Sequence, residues 1–264
     1  MKLSKKKIII SGCFGIYGLE ITKYLLEQKC EVVGLDIHST TFKVNFLKKK
    51  YRNNFRYYRC DVSNKTQLLK VKQQLKKNFL RPDVLINLAS ITDPVEKKRK
   101  KPIKFENYSE TEFNEIISKN ILATFLPCQI FGSEMKKNKK GSIINFSSTY
   151  GLVGPDQKIY VNKNNNTKFI KNPAYPSSKG AIISFTKYLS SYWGKFNIRV
   201  NCVVPGGAEN NQEKFFIKKY SEKTPLGRMA NKKDLNGIIH LLCSEESLYI
   251  TGSTLIVDGG WTSI

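Results

Sequence analysis

Tyr175 and Lys179 stand four residues apart in the run Asn172-Pro-Ala-Tyr-Pro-Ser-Ser-Lys-Gly180. On a helix, that spacing puts both side chains on one face, a turn apart. A phenol beside an ammonium can exchange a proton. Phenols ordinarily ionise near pH ~10, and a fixed positive charge close by favours the phenolate. Lowering that barrier is how a tyrosine becomes a general acid or base at neutral pH. The pair alone is weak, because both residue types are common in this chain and an exposed helix pair without chemistry has the same spacing. Its weight comes from a glycine-rich turn near the start, from Ser148 and from Asn120.

Ser147 and Ser148 close an apolar run. A hydroxyl there can hydrogen-bond a substrate carbonyl or alcohol, although serines at strand ends more often cap turns. No histidine lies near them; the chain has two, His38 and His240, too few to make a Ser-His triad a good reading. Asn120 falls on a stripe with Phe113, Ile117, Thr124 and Cys128 at spacings of three and four, so its amide is expected to be buried and in need of partners. It could bond neighbouring backbone and do nothing more, or hold a water in a proton path.

At the other end, Ser11-Gly12-Cys-Phe-Gly15-Ile16-Tyr-Gly18 lies between a predicted strand and a predicted helix. Gly12 can make the tight turn, Gly15 and Ile16 can bring backbone to a pyrophosphate, and Gly18 allows close packing. The N–H groups at the helix start would face the phosphate. Asp36, ending the next strand, can accept hydrogen bonds from both ribose hydroxyls of an adenosine and would repel a 2′-phosphate, favouring NAD over NADP. Asp61 and Val62 follow the third strand, where they could meet adenine. Asn87 and Ala89, after the fourth, would run beside a ribose.

Short apolar runs alternate with longer amphipathic ones. Strands are predicted at 7–11, 31–36, 55–61, 84–87, 141–147, 198–204 and 254–257. Helices are predicted at 16–28, 64–77, 110–135, 174–194 and 232–243, with Pro127 kinking or ending the third of these. The alternation implies one α/β domain over 1–264, a doubly wound Rossmann-type fold with a mainly parallel seven-stranded sheet and helices on both faces. In the last long helix, Ala181, Phe185, Leu189 and Tyr192 form the expected core face. Insertions near 91–109 and 154–172 follow the carboxyl ends of strands four and five and are expected to flank a substrate site.

The 264 residues carry 45 Lys plus Arg against 21 Asp plus Glu, a net charge of +24. The basic residues are spread along the chain and are mostly lysine, so solvated surfaces explain them better than a nucleic-acid footprint. The positive field would favour anionic ligands. Six scattered cysteines and two histidines give no zinc spacing and suit buried thiols in a reducing cytosol. No run approaches a bilayer span. The expected protein is cytoplasmic and has no metal, membrane or nucleic-acid partner.

These residues resemble the short-chain dehydrogenase/reductase family over nearly the whole chain. The resemblance rests on 11–18, Asn87-Leu-Ala-Ser90, Asn120, Ser148, Tyr175-Pro-Ser-Ser-Lys179, Asn201-Cys-Val-Val-Pro205-Gly206, Thr251-Gly252 and Val257-Asp-Gly-Gly-Trp261. It implies NAD(P)-dependent exchange between an alcohol and a carbonyl. By resemblance Tyr175 is the general acid/base, Lys179 lowers its pKa and binds the nicotinamide ribose, Ser148 orients the substrate oxygen, and Asn120 supports a proton-relay water. Pro205 and Gly206 join the cofactor contacts, and a homo-oligomer, dimer or tetramer, is expected.

Departures narrow the resemblance. The glycines run Gly-x-x-Gly-x-x-Gly rather than Gly-x-x-x-Gly-x-Gly. Asn-Leu-Ala-Ser replaces Asn-Asn-Ala-Gly, Ser148 and Tyr175 are 27 apart, and no threonine follows Pro205-Gly206 closely. Together these are similar to oxidoreductases of bacterial surface-polysaccharide and flagellin-glycan pathways, implying a small polar or anionic substrate such as a sugar, sugar phosphate or nucleotide sugar. Two other readings stand beside it: a 3-oxoacyl-[acyl-carrier-protein] reductase, and a non-catalytic dinucleotide-sensing module.

Overall fold

A computed structural model describes residues 3–38, 41–75, 79, 81–91, 102–161 and 170–264. Parts of both expected insertions, 92–101 and 162–169, lie outside the described residues, as does the end of the helix expected over 64–77.

Seven strands form a single sheet: β1 (Lys7–Ser11), β2 (Glu31–Asp36), β3 (Phe55–Arg59), β4 (Val84–Asn87), β5 (Gly141–Phe146), β6 (Ile198–Pro205) and β7 (Thr254–Val257). Their order is β3-β2-β1-β4-β5-β6-β7. Every pairing is parallel, where the sequence suggested only a mainly parallel sheet. A parallel sheet covered on both faces needs apolar residues at successive positions, and Ile8-Ile9-Ile10 supplies them, all fully buried.

Among the described residues the α-helices are α1 (Gly18–Glu27), α2 (Thr41–Tyr51), α3 (Lys65–Gln74), α4 (Glu110–Pro127), α5 (Ser133–Asn138), α6 (Ala174–Trp193), α7 (Lys214–Glu222) and α8 (Asn236–Cys243); α7 packs in a separate cluster with Ile159, Tyr160 and Trp261. On one face Ile9, Leu85, Ile143 and Val200 pack with Leu68 of α3, Ala123 of α4 and Leu189 of α6. On the other, Ile8, Ile10, Ile86 and Ile144 pack with Ile21 and Leu25 of α1 and Ile239 of α8. The chain winds outward from β1 to β3, then returns to β4 on the other side of β1. The carboxyl ends of β1 and β4 therefore flank a topological switch point, where open α/β sheets bind ligands.

Several sequence expectations change. The lysine-rich α2 and α7 were not anticipated, and β3 stops at Arg59. α4 ends at Pro127, but one π-helical turn, Cys128–Gly132, carries the chain on into α5. The core face of α6 is Ser178, Ile182, Thr186, Leu189 and Trp193, a small rotation from the stripe expected through Ala181, Phe185 and Tyr192; Tyr192 is 52% exposed.

Thr186 sits on that buried face because it is paired. Asn87 Nδ2 donates to Asn145 Oδ1 at 2.9 Å, Asn145 Nδ2 donates to Thr186 Oγ1 at 3.0 Å, and Thr186 donates to Ile182 O. This polar ladder ties β4, β5 and α6 together and fixes the height of α6 against the sheet. Among the described residues, no helix is long and apolar enough to cross a membrane.

Candidate active site

The glycine turn is built by backbone geometry. Gly12 has φ +68°, in the left-handed region, and a methyl group there would stand 2.8 Å from Ala89 N. Gly12 N donates to Leu35 O, and Gly15 N donates back to Gly12 O, closing the loop before α1 begins at Gly18. A methyl group at Gly18 would overlap the Gly12 carbonyl, so its packing role is directed at the turn itself. Gly18→Ala is expected to lose roughly 1–3 kcal/mol or more of stability, by analogy with overpacked cores, and to weaken dinucleotide binding at least tenfold. Thermal melts with NAD titration check this; an unchanged melt and affinity mean the turn relaxes without harm.

Asp36 is buried at the end of β2. Its Oδ2 accepts from Phe14 N at 2.9 Å and its Oδ1 from His38 N at 3.0 Å. Part of the capacity expected for ribose therefore holds the glycine turn, and each oxygen keeps a further lone pair. Asp36, Asp61, Val62 and Ala89 share a cavity of about 320 Å³ with Gly12 and Gly15. Asp61 is braced by Ser63, whose N–H and hydroxyl both donate to Oδ1.

Asn87 does not belong to this set. It is the last residue of β4, and its side chain enters the buried ladder, donating to Asn145 and to Cys128 Sγ at 3.2 Å. The neighbouring Leu88, Ala89 and Ser90 line the cavity instead.

A second cavity, about 480 Å³, shares Gly12 and Gly15 with the first and runs past the ends of β5 and β6. Gly12, Gly15, Ile16 and Gly18 line one side, Pro205 and Gly206 another, and Ser148, Tyr175 and Lys179 meet there. The Ser148 hydroxyl faces the Tyr175 phenol closely enough to oppose the effect of burial on its pKa. Ser147 faces elsewhere, its Oγ donating to Lys179 O at 2.7 Å. The two adjacent serines thus divide the work: one clamps α6, the other meets the phenol.

The Lys179 ammonium is buried and donates to Phe146 O at 3.1 Å, 5.6 Å from the Tyr175 ring centre. Burial pulls its pKa down to about 8. Burial also raises the Tyr175 pKa, while the Ser148 hydroxyl beside it pulls the other way. The expected lowering by Lys179 is therefore not the dominant influence on the phenol; desolvation is.

Asn120 lies fully buried between the loop after β4 and α6. Its Oδ1 accepts from Ile91 N at 2.7 Å; its Nδ2 donates to Ile91 O and to Ser178 Oγ, both at 2.9 Å. Ser178 in turn donates to Tyr175 O at 2.7 Å. Both amide protons are taken, so the side chain works as a clamp that sets the first turn of α6. Asn172 starts that helix by accepting from Tyr175 N at 2.8 Å.

Several cavity residues were not found from sequence. Tyr17, inside the glycine motif, donates from Oη to Gly206 O at 2.8 Å and joins the cofactor turn to the end of β6; burial raises its pKa. Tyr220, on α7, accepts from Gly207 N at 2.6 Å and stacks on Trp261 at 4.1 Å. Lys171 reaches the Tyr175 ring from outside α6, its Nζ 4.9 Å from the ring centre. The only available signal for Tyr17 was its place between two motif glycines. Lys171 gave none, because it lies outside any regular element, just before α6.

A family model described as enoyl-(acyl carrier protein) reductase matches residues 15–262. A 2-dehydro-3-deoxy-D-gluconate 5-dehydrogenase of Dickeya dadantii is 28% identical over 98% of this chain and 96% of its own. Post-translational flagellin modification protein A of Campylobacter coli is 29% identical over 98% and 99%. Among solved structures, a short chain dehydrogenase of Leptospira borgpetersenii serovar Hardjo-bovis with bound NAD+ is 35% identical, with a TM-score of 0.84 over 98% of this chain and 93% of that one.

Proposed function

The chain belongs to the short-chain dehydrogenase/reductase family and is an oxidoreductase of alcohol or carbonyl groups; from that premise we propose that it uses NAD to oxidise or form a hydroxyl on a sugar, sugar phosphate or nucleotide sugar. The observation that carries this reading is the single groove in which the glycine turn and the Ser148–Tyr175–Lys179 cluster share Gly12 and Gly15 as a common floor.

A dinucleotide would be held by the Gly12–Gly18 turn at its pyrophosphate, by Asp36 at the adenosine ribose, by Asp61 and Val62 at adenine, and by Lys179, Pro205 and Gly206 at the nicotinamide end. The bound cofactor supplies the hydride acceptor or donor. Tyr175 exchanges the proton of the substrate hydroxyl at its Oη. Ser148 donates a hydrogen bond to the same substrate oxygen and fixes its distance from the phenol. Lys179 lies beside the phenol as a compact positive charge, and Asn120, through Ser178, holds the backbone that carries Tyr175. The carbohydrate reading draws support from relatives whose names include a deoxygluconate dehydrogenase and a flagellin modification protein.

The cofactor choice is tested by affinity. The wild type should bind NAD roughly ten- to hundredfold tighter than NADP, since a carboxylate a few ångströms from a 2′-phosphate repels it by about 1–4 kcal/mol. Asp36→Ala should erase that preference and weaken NAD binding, because Phe14 N and His38 N lose their acceptor. A wild-type preference for NADP defeats the assignment of Asp36.

A second reading, reduction of a 3-oxoacyl thioester on an acidic carrier protein, has support in the description of the matching family model and in the +24 charge. NADH formed from sugars but not consumed with acyl-carrier thioesters decides for the first. The same proposal includes a homo-oligomer, supported by the exposed, stacked Tyr188 and Tyr192 on α6. It also includes a cytoplasmic location, supported by six buried free thiols.

A further inference from the structure

Pro205 ends β6, and Gly206 and Gly207 carry the chain on along the wall of the catalytic cavity. Proline has no N–H and glycine no side chain, so this turn has few anchors of its own. Neighbours press on it closely: a Cβ would meet Asp258 Cα at 3.0 Å on Gly206 and the Tyr220 ring at 2.9 Å on Gly207. Each N–H and carbonyl of the two glycines is held from outside. Gly206 N donates to Val257 O at 2.9 Å, and Gly207 N donates to Tyr220 Oη at 2.6 Å. Gly207 O accepts from Ala230 N at 2.9 Å, and Gly206 O accepts from Tyr17 Oη at 2.8 Å.

Val257, Tyr220 and Ala230 all follow β6 in the chain. Of the four partners, only Tyr17 comes from the glycine turn, 189 residues from Gly206. Its bond sets the distance between two walls that a dinucleotide must touch at once, the turn facing the pyrophosphate and the β6 end facing nicotinamide. The ring packs beside the cluster of Ile21 and Ile239, which aims the hydroxyl. Burial raises the phenol pKa, and Tyr220, Asp234 and Tyr175 nearby add to the rise, so the hydroxyl stays protonated. A tyrosine hydroxyl has one proton to donate, and Gly206 O takes it. The group is placed to hold the cofactor site, not to pass a proton to substrate.

We propose that Tyr17 is a positioning residue for the nicotinamide end of the bound cofactor: its hydroxyl locks Pro205-Gly206 at the separation from the glycine turn that lets nicotinamide seat beside Tyr175. This rests on the nicotinamide-cofactor reading and adds a residue that acts on one end of that cofactor. Among the described residues, neither Tyr17 nor Gly206 lines the cavity of Asp36 and Asp61. Loss of the bond should therefore be felt by the nicotinamide half and spare the adenosine half.

The test compares NADH with ADP-ribose, which keeps adenine, both riboses and the pyrophosphate but lacks nicotinamide. The full chain is used as wild type, Tyr17→Phe and Tyr17→Leu. Calorimetry gives the affinities, and the emission of bound NADH reports on its nicotinamide end. Tyr17→Phe keeps the ring and loses only the oxygen. It should bind NADH roughly three- to thirtyfold more weakly, the effect of one carbonyl left without its donor, with ADP-ribose affinity held within about twofold. Tyr17→Leu should show the same split, and the emission gain of bound NADH should fall in both variants. If the wild type prefers NADPH, that cofactor and 2′-phospho-ADP-ribose take the same places. A further arm needs no variant: in the wild type, amide exchange at Gly206 and Gly207 should slow more with the reduced cofactor than with its nicotinamide-free fragment.

Equal weakening of NADH and ADP-ribose in Tyr17→Phe overturns the proposal, because Tyr17 would then support the whole turn. No weakening of either does the same. A loss confined to Tyr17→Leu assigns the effect to ring packing and also overturns it. Should Tyr17→Phe not fold, the exchange arm decides, and equal protection by cofactor and fragment counts against the role. A wild type that binds ADP-ribose but gains nothing from nicotinamide sinks Tyr17 and leaves the dinucleotide site standing. A wild type that binds no nicotinamide dinucleotide sinks both.

Discussion

Tyr175→Phe should bind NAD with unchanged affinity and lose turnover by about 10²–10⁴-fold, the usual contribution of a positioned general acid or base. The substitution removes one oxygen and keeps the ring, so the flanking ammonium groups of Lys171 and Lys179 retain their neighbour. Ser148 keeps its bond with Tyr150 N, which donates to its Oγ at 3.3 Å. Folding is therefore expected to survive. The wild-type profile carries a sign as well. Burial raises the phenol pKa, so the phenolate needed to take a hydroxyl proton becomes more populated as pH rises. Alcohol oxidation should speed up toward alkaline pH, and carbonyl reduction, which needs the neutral phenol, should not. Stopped-flow traces with NAD and the best alcohol found in a screen would show both effects. Retained turnover in the phenylalanine variant would take the hydroxyl out of the mechanism.

The sheet was readable because parallel strands buried on both faces must be apolar at consecutive positions. Ile8-Ile9-Ile10, Val84-Leu-Ile and Cys202-Val-Val therefore stand out without any periodicity. The helices were less readable where the chain is rich in lysine. α2 buries Val44 and Leu47 but exposes Phe42 at 84%, so its apolar residues do not trace a clean stripe. α6 shows a different difficulty. Thr186 is polar, and its bonds with Asn145 and with the Ile182 carbonyl let it stand on the core face.

That Ser148, Tyr175 and Lys179 line one cavity was legible because they bring recognisable neighbours with them. Asn87 was misplaced for a reason of geometry. A strand-end position tells which end of the sheet a residue occupies, but not which face its side chain takes. Its register partner is Asn145, and its Nδ2 donates to that residue inside the protein rather than into the cleft. Asn120 likewise reads as buried from its stripe, yet only coordinates reveal that Ile91 and Ser178 occupy both of its protons. Lys171 and Tyr220 enter the site from outside any regular element and from a helix that the pattern did not announce, so neither had a local signal.

Lys179→Met should make the protein more stable and nearly inactive. In the folded chain burial holds the lysine pKa at about 8. An unfolded lysine ionises near pH ~10.4. Carrying the charge into the folded state at neutral pH therefore costs about 3 kcal/mol at 1.36 kcal/mol per unit. Below pH 8 the group is charged in both states and the whole penalty applies. Between about 8 and 10.5 the unfolded chain binds more protons than the folded one, so stability rises with pH and the penalty fades. Methionine removes the penalty, but leaves the Phe146 carbonyl without its donor, at about 1–3 kcal/mol. The net gain at pH 7 is roughly 0–2 kcal/mol, a rise of up to about 8 °C in Tm for a chain of this size. The advantage over the wild type should shrink on moving to pH 10. Turnover moves the opposite way. When the hydroxyl proton reaches Tyr175, or leaves it, the phenolate form is stabilised by an ammonium near the 5.6 Å ring distance. At an effective dielectric constant of about 20, that attraction is about 3 kcal/mol, or roughly a hundredfold in rate. The lysine is therefore kept for the charge that forms during the reaction, against the interest of the resting fold. Melts of both proteins at pH 7 and 10, together with single-turnover rates, measure the two sides. A methionine variant that melts lower at pH 7, or that turns over like the wild type, contradicts this account of Lys179.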